Sequence, residues 1–275
     1  MYGVSFNLGE LILRAFREAN LDARSQKILE RRYGLTSGES ATLQELGDLY
    51  AITRERVRQL ECQAFKETEK AFASLAEANE LRAFMDDYLR RVGGIRRHDL
   101  LANELYALFR PSRKEGVFTR ELRFVLAALG EPFFSKEDET YHDFWYRTEE
   151  TRRVLVTLHD ELIRRLKRIE HFEEVLRTAM RPHEGLSDTA ALSYLAVSKK
   201  IGVGPYGDLG LSHWEEVAPK TVRAKSYLLL KKLGRPLHFS EIAERIESHP
   251  PTVHNELIKD ARFTLVGRGT YGLTA

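Results

Sequence analysis

The sequence predicts a mainly α fold: a helix-turn-helix unit, then winged-helix (α+β) units joined by a long helix. Three observations predict it. Residues 42–61, TLQELGDLYAITRERVRQLE, hold two capped apolar-periodic runs separated by a very short break. Residues 79–147 and 219–275 each run from helical patterns into a pair of strand-like segments. Between them, Leu155, Leu162, Ile169 and Leu176 repeat at heptad spacing within 148–176.

At 275 residues, 43% hydrophobic and 31% charged, the chain has the composition of a soluble globular protein with room for several small domains. A net charge of +2 is too small to argue for nucleic acid, so the placement of charges must decide. The single cysteine, Cys62, excludes an internal disulfide and a multi-cysteine zinc site. No apolar stretch approaches the roughly 18 residues that span a bilayer, and no basic leader precedes the first apolar residues. A cytoplasmic protein without a membrane partner is expected.

In chain order, Phe6, Leu8, Leu11, Ile12, Ala15 and Phe16 mark an amphipathic helix. Residues 25–33 form another, which Gly34 can end, and the loop LTSGES leads to Thr42. Thr42 with Glu45 makes a capping box. Leu43, Leu46 and Leu49 repeat at helical spacing, the pattern lapses at Tyr50-Ala51-Ile52, and Thr53 is placed to cap a second helix. On that helix Val57, Leu60 and Ala64 share one side, while Arg54, Glu55, Arg58, Gln59 and Cys62 share the other. Arg pairs with guanine O6 and N7, Gln with adenine, and Glu accepts from cytosine N4, so this face has the chemistry to read major-groove edges. Arg56, on one flank, suits a phosphate. The plainer alternative is a helical hairpin with solvated arginines.

The first domain is assigned to 1–78. In 79–147 a helix ends in RRVGG, a second starts near His98 or Asp99, a third enters at Thr119, and FF with YHDFWY reads as strands, the order of a winged helix. Residues 148–178 read as a long connecting helix whose apolar seam Arg165 interrupts, favouring packing within one chain and a monomer. Residues 179–218 read as a helix at 188–200 followed by glycine-rich turns packed on the last domain. Their formal GxGxxG (Gly202, Gly204, Gly207) follows a helix and contains Pro205, which speaks against a dinucleotide site.

In 219–275, YLLLKKLG closes at Gly234, Ser240 caps EIAERI, PP makes a turn, Thr252 opens TVHNELIKD, and RFTLV and TYGLT flank a wing with Arg268 at its tip. From Lys220 to Arg235 there are six Lys or Arg and no acid, a stretch suited to a phosphate backbone. No catalytic constellation is present. HEGL at 183–186 is not HExxH, and no GxSxG occurs. No enzyme, metal or cofactor is expected.

RSQKILERRYGL (24–35) with TLQELGDLYAITRERVRQLECQAF resembles region 4 of sigma-70 class sigma factors, the helix-turn-helix that reads the minus-35 promoter element and touches the polymerase flap. The resemblance implies that Arg54, Glu55 and Gln59 face bases and that Arg56 and Arg58 lie near backbone or bases. Gln63 stands where that family carries Lys, and KETEK where a basic tail is usual, which implies weaker phosphate contact. KSYLLLKKLGRPLHFSEIAERI and PPTVHNELIKDARFTLVGRGTYGL resemble the HARE-HTH domain, a winged helix of DNA-binding or polymerase-binding modules. The candidate DNA contacts are Thr53, Arg54, Glu55, Arg56, Arg58 and Gln59, with Lys220, Arg223, Lys225, Thr252, His254, Asn255 and Arg268 in the last domain. The resemblances imply a sequence-specific transcription factor acting with core RNA polymerase on double-stranded DNA. The alternatives are a polymerase-associated interaction protein, as the delta subunit is, and a specificity module of a restriction or modification system.

Overall fold

The computed structural model describes residues 6–36, 39–180 and 186–274. Mostly helical with small antiparallel sheets, it begins with α1 (Leu8–Glu18), α2 (Ala23–Tyr33), α3 (Leu43–Tyr50), α4 (Arg54–Ser74) and α5 (Ala76–Arg91). There follow β1 (Ile95–Arg97), α6 (His98–Phe109), α7 (Glu115–Leu129), β2 (Phe133–Ser135), β3 (Phe144–Tyr146) and α8 (Glu149–Arg165). Next are β4 (Glu170–His171), α9 (Phe172–Val175), a π-helical turn at Leu176–Met180, α10 (Asp188–Val197), β5 (Ile201–Val203) and β6 (Asp208–Leu211). The chain closes with α11 (Val222–Leu233), β7 (Leu237–His238), α12 (Phe239–Arg245), α13 (Pro250–Ile258), β8 (Phe263–Gly267) and β9 (Thr270–Leu273).

The chain divides into two compact units, residues 1–156 with 187–197, and residues 157–186 with 198–275. In the first unit α7 is the central element. Phe118, Leu122, Phe124, Val125 and Leu126 along it are all buried. The Phe124 ring meets Phe16 at 5.9 Å, Tyr33 at 5.0 Å and Phe65 at 5.5 Å, each edge to face, a geometry that adds to the burial of area. One core therefore joins the N-terminal helices to α5–α7.

Helix α10 belongs to this first unit, which corrects the reading of 179–218 as one piece packed on the C-terminal domain. Gly93, at φ +88°, has Ala190 where a side chain would stand. Arg96 donates to the Ser193 hydroxyl (3.1 Å), Arg97 to the Ala196 carbonyl (3.2 Å), and the His142 amide to the Val197 carbonyl (3.0 Å). A glycine that permits close approach and polar contacts between positions far apart in the chain fix α10 here, and neither leaves a local sequence signal.

One topology occurs three times. β1-α6-α7-β2-β3, β4-α9-α10-β5-β6 and β7-α12-α13-β8-β9 each run strand, helix, helix, strand, strand, after a helix (α5, α8 or α11). In every copy the third strand lies between the first and second, all antiparallel. Each copy also has a histidine at the first strand–helix junction: His98, His171 and His238. The middle copy is split, with α10 in the first unit and its strands in the second.

Several boundaries differ from the sequence expectation. Helix α7 starts at Glu115 rather than Thr119, whose hydroxyl donates back to the Glu115 carbonyl (2.9 Å) instead of capping. The helix expected over 148–176 stops at Arg165. Leu155, Leu158, Leu162 and Leu166 are buried along it or just past its end, whereas Ile169 and Phe172 flank a two-residue strand held by β6. The heptad pattern thus runs across two separate elements. Helix α12 is capped by His238, whose Nδ1 accepts from the Ser240 amide at 3.3 Å, so Ser240 lies inside the first turn. Helix α13 begins at Pro250, two residues before Thr252; proline fits a first turn because that amide has no intrahelical partner. The glycine-rich segment is a hairpin in which Gly204 and Gly207 close the turn between β5 and β6, with no helix after it to hold a pyrophosphate. His183, Glu184 and Gly185 of HEGL lie outside the described residues.

Candidate nucleic-acid interface

The α3–α4 pair is held at both starts by side chains. Thr42 accepts from the Glu45 amide (3.2 Å) while Glu45 accepts from the Thr42 amide (2.7 Å), the reciprocal capping box. That bond to the Thr42 amide holds the Glu45 carboxyl below its usual range. At α4, Thr53 accepts from the Arg56 amide at 3.1 Å. The turn between the helices passes through Ala51 at φ 52° and is drawn in so far that a Cβ on Gly47 would stand 2.9 Å from the Ile52 carbonyl oxygen. Only a glycine on the inner face of α3 admits that approach. Ile28, Leu46 and Val57 form a separate small core, with Leu43, Tyr50, Ile52 and Leu60 around it. Arg32 reaches Glu61 at 3.3 Å and so ties α2 to α4, and burial beside Glu61 pushes the Tyr33 hydroxyl up to about 12.

Helix α4 has two parts with different surroundings. Its C-terminal half carries Ala64, Thr68, Ala71 and Phe72 into the core of the first unit. Its N-terminal half presents Thr53, Arg54, Glu55, Arg56, Arg58 and Gln59, all exposed, around the buried Val57. A helix anchored at one end and bare at the other is what insertion into a groove requires.

The six candidate residues are thus together on one end of one helix, and charge partners hold most of them. Arg58 grips Glu55 with two bonds (2.9 and 2.8 Å) and lies 3.9 Å from the Cys62 sulfur. Arg56 donates to Gln59 at 3.2 Å, and Gln59 to Glu55 at 3.4 Å. The Arg58 bond lowers the Glu55 carboxyl and raises the guanidinium, so both stay charged. Arg54 has no side-chain partner among the described residues. Its donors are open, while the others exchange one partner for another when a base or phosphate arrives.

In the C-terminal copy the candidates are scattered. Lys220 and Lys225 are exposed, but Arg223 pairs with Glu256 of α13 at 2.6 Å and serves helix packing. Thr252 and Asn255 are exposed on α13. His254 is half-buried: its Nδ1 lies 3.0 Å from the Tyr271 hydroxyl and its ring 4.8 Å from that of Phe239, so it braces α13 against the sheet. Arg268 is exposed in the β8–β9 turn. Sequence reasoning missed Gly47, whose signal is a glycine inside an otherwise regular helix, and the Arg32–Glu61 tie, which has none. Among the described residues no cluster of His, Cys, Asp or Glu is placed to hold a metal, and no helix is long and apolar enough to cross a membrane.

A short, tightly drawn turn, capped helices and a bare polar end on the second helix define a helix-turn-helix module. Residues 19–67 match the family Sigma-70, region 4. Over 48 residues the chain is 44% identical to the RNA polymerase sigma factor SigA1 of Synechococcus elongatus; that stretch covers 18% of this chain and 12% of the relative. No solved structure matches. The matched family is a DNA-binding helix-turn-helix found in sigma factors, and the match is confined to this segment, so the chain spans only a small part of the length of the relative it matches.

Proposed function

We propose that this protein is a sequence-specific DNA-binding transcription factor that places the bare end of α4 in the major groove of a minus-35-like promoter element and works with core RNA polymerase in the cytoplasm. The observation that carries the proposal is the grouping of Arg54, Glu55, Arg58 and Gln59 on the solvent side of a helix whose other half is locked in the core. Arg54, Glu55 and Gln59 read bases, Arg56 holds a phosphate, and Arg58 lies close to the backbone or bases. The protein is a monomer and needs no metal or cofactor, and none of its parts is an enzyme.

The C-terminal copy is read as a HARE-HTH-like winged helix, and β1 to β3 with α6 and α7 as a second winged helix. The order of their elements and strands supports this. Lys220, Lys225, Thr252, Asn255 and Arg268 then add backbone contacts that raise affinity with little choice of sequence.

In-vitro selection of bound duplexes tests the reading, and a TTGACA-like site is the expected product. Arg54→Ala should weaken binding to that site by about 1–3 kcal/mol and relax the preference at one base pair. Unchanged affinity for the selected site would remove α4 as the reader. Replacing Lys220, Lys225 and Arg268 together by Ala should flatten the slope of log K against log salt by about 0.9 for each phosphate that is no longer neutralised, leaving the preferred sequence as it was.

A further inference from the structure

The C-terminal copy carries an apolar strand edge that the DNA reading does not use. Strand β8 lies at the outside of its sheet, paired on one side with β9 and with no strand on the other among the described residues. Leu265 and Val266 are 60% and 55% exposed on this open edge. Over β9, and reaching β8 at Val266, is a trough of about 300 Å³ between Leu230, Pro236, Val266 and Leu273. Its floor is Gly272, where a Cβ would stand 3.3 Å from Pro236 and 3.6 Å from Val266. Lys231 and Arg235 line the same trough, and Lys232 is exposed next to Lys231 in a stretch without acids. The carboxylate that Arg235 meets, Glu241 (3.4 Å), is shared with Arg245 (3.0 Å).

An open, apolar strand edge invites pairing with another chain, and proteins usually guard such edges with charge or proline. β8 has neither between Phe263 and Gly267. A DNA backbone would gain nothing from Leu265 and Val266 and would set phosphates against them. The cationic rim requires anionic groups, the floor requires a bulky apolar side chain, and the open edge requires an extended backbone.

We propose that β8 and its trough take an extended acidic–apolar segment of a partner protein, which adds as a strand beside β8. One apolar side chain of the segment leans over Val266 toward the trough. Flanking carboxylates meet Lys231 and Lys232, and main-chain bonds to β8 fix the direction of the segment. None of the residues it uses belongs to α4, so the proposal does not depend on α4 being the DNA reader.

Fluorescence polarisation on the full chain tests it, using as probe a labelled peptide with a Leu-Val-Phe centre flanked by Asp and Glu. Saturable binding is expected, weakened about tenfold or more by Val266→Lys and by Lys231→Glu, both at exposed positions that leave the core intact. A peptide N-methylated at alternate amides should lose binding to a similar extent, because it cannot pair with a strand, and Arg54→Ala should have no effect. Circular dichroism confirms that each variant is folded. The proposal is overturned if the acidic peptide fails to bind, if the variants or N-methylation leave binding unchanged, or if the same variants weaken duplex DNA instead.

Discussion

Helices α7 and α13 hold the same place in two copies of one topology, yet they are used in opposite ways. Along α7 nine residues are buried, among them Phe118, Phe124 and Leu126, and the helix is enclosed by its neighbours. Along α13 only Val253 and Leu257 are buried, while Thr252, Asn255 and Ile258 face solvent. Topology therefore does not decide function. The second helix of the first copy has become the centre of a core, while that of the C-terminal copy keeps an exposed face. Helix α4 combines both uses in one rod, with Phe72 at one end as fixed as Phe124 and Arg54 at the other as open as Asn255.

The largest effect that could break this contrast is at the centre of α7. Phe124→Ala removes a fully buried ring with three aromatic neighbours and should cost about 3–5 kcal/mol in urea unfolding. Hydrogen exchange should place the loss in α1, α4 and α7. A loss below about 1 kcal/mol would mean that α7 is not the core element that its packing describes.

A smaller effect concerns Glu121 on the same helix. Its side chain is 3% exposed, Arg113 lies 3.3 Å away, and Gly9 of α1 passes close to both. Burial pushes its carboxyl up to about 6, with Arg113 opposing only in part. The folded state then holds this proton more tightly than the unfolded chain. The stabilisation is full below about pH 4.5 and is lost as pH rises through about 6. Allowing for screening on the Arg113 side, it amounts to about 1 kcal/mol. Glu121→Gln should remove that part of the pH dependence in thermal melts across this window. An unchanged profile would place the titration elsewhere.

At the free end of α4, Thr53→Ala removes one cap and should cost about 1 kcal/mol of stability, read by thermal melting, and fray the turn that carries Arg54. Smallest of all, Asn255→Ala on the open face of α13 should change stability by less than about 0.5 kcal/mol. A larger cost would show that this face is covered and would end the contrast with α7.

What can be read from the sequence follows the same division between local and distant causes. The α3–α4 pair and its exposed residues are legible because Thr42, Glu45 and Thr53 act on amides within three residues of themselves. The β8–β9 hairpin is legible from alternating strand residues around Gly267-Arg268-Gly269. The start of α7 is not, because Lys114 precedes it without a side-chain cap. Strands β1 and β4 are not, because two or three residues become a strand only when a distant partner arrives, Phe144–Tyr146 for the first and Asp208–Leu209 for the second. Likewise His254 has the sequence setting of a groove contact, and only Tyr271 and Phe239 packed against it turn it into a brace. The threefold recurrence of topology leaves a histidine at three strand–helix junctions, too little to detect without the sheets.

The single cysteine has a practical consequence. Cys62 is the chain's one thiol, is exposed, and lies one turn beyond Arg58 on the projecting half of α4. A maleimide fluorophore would therefore attach at one place only, beside the surface assigned to DNA, in the unaltered protein. Its emission would report the arrival of a duplex at α4 directly.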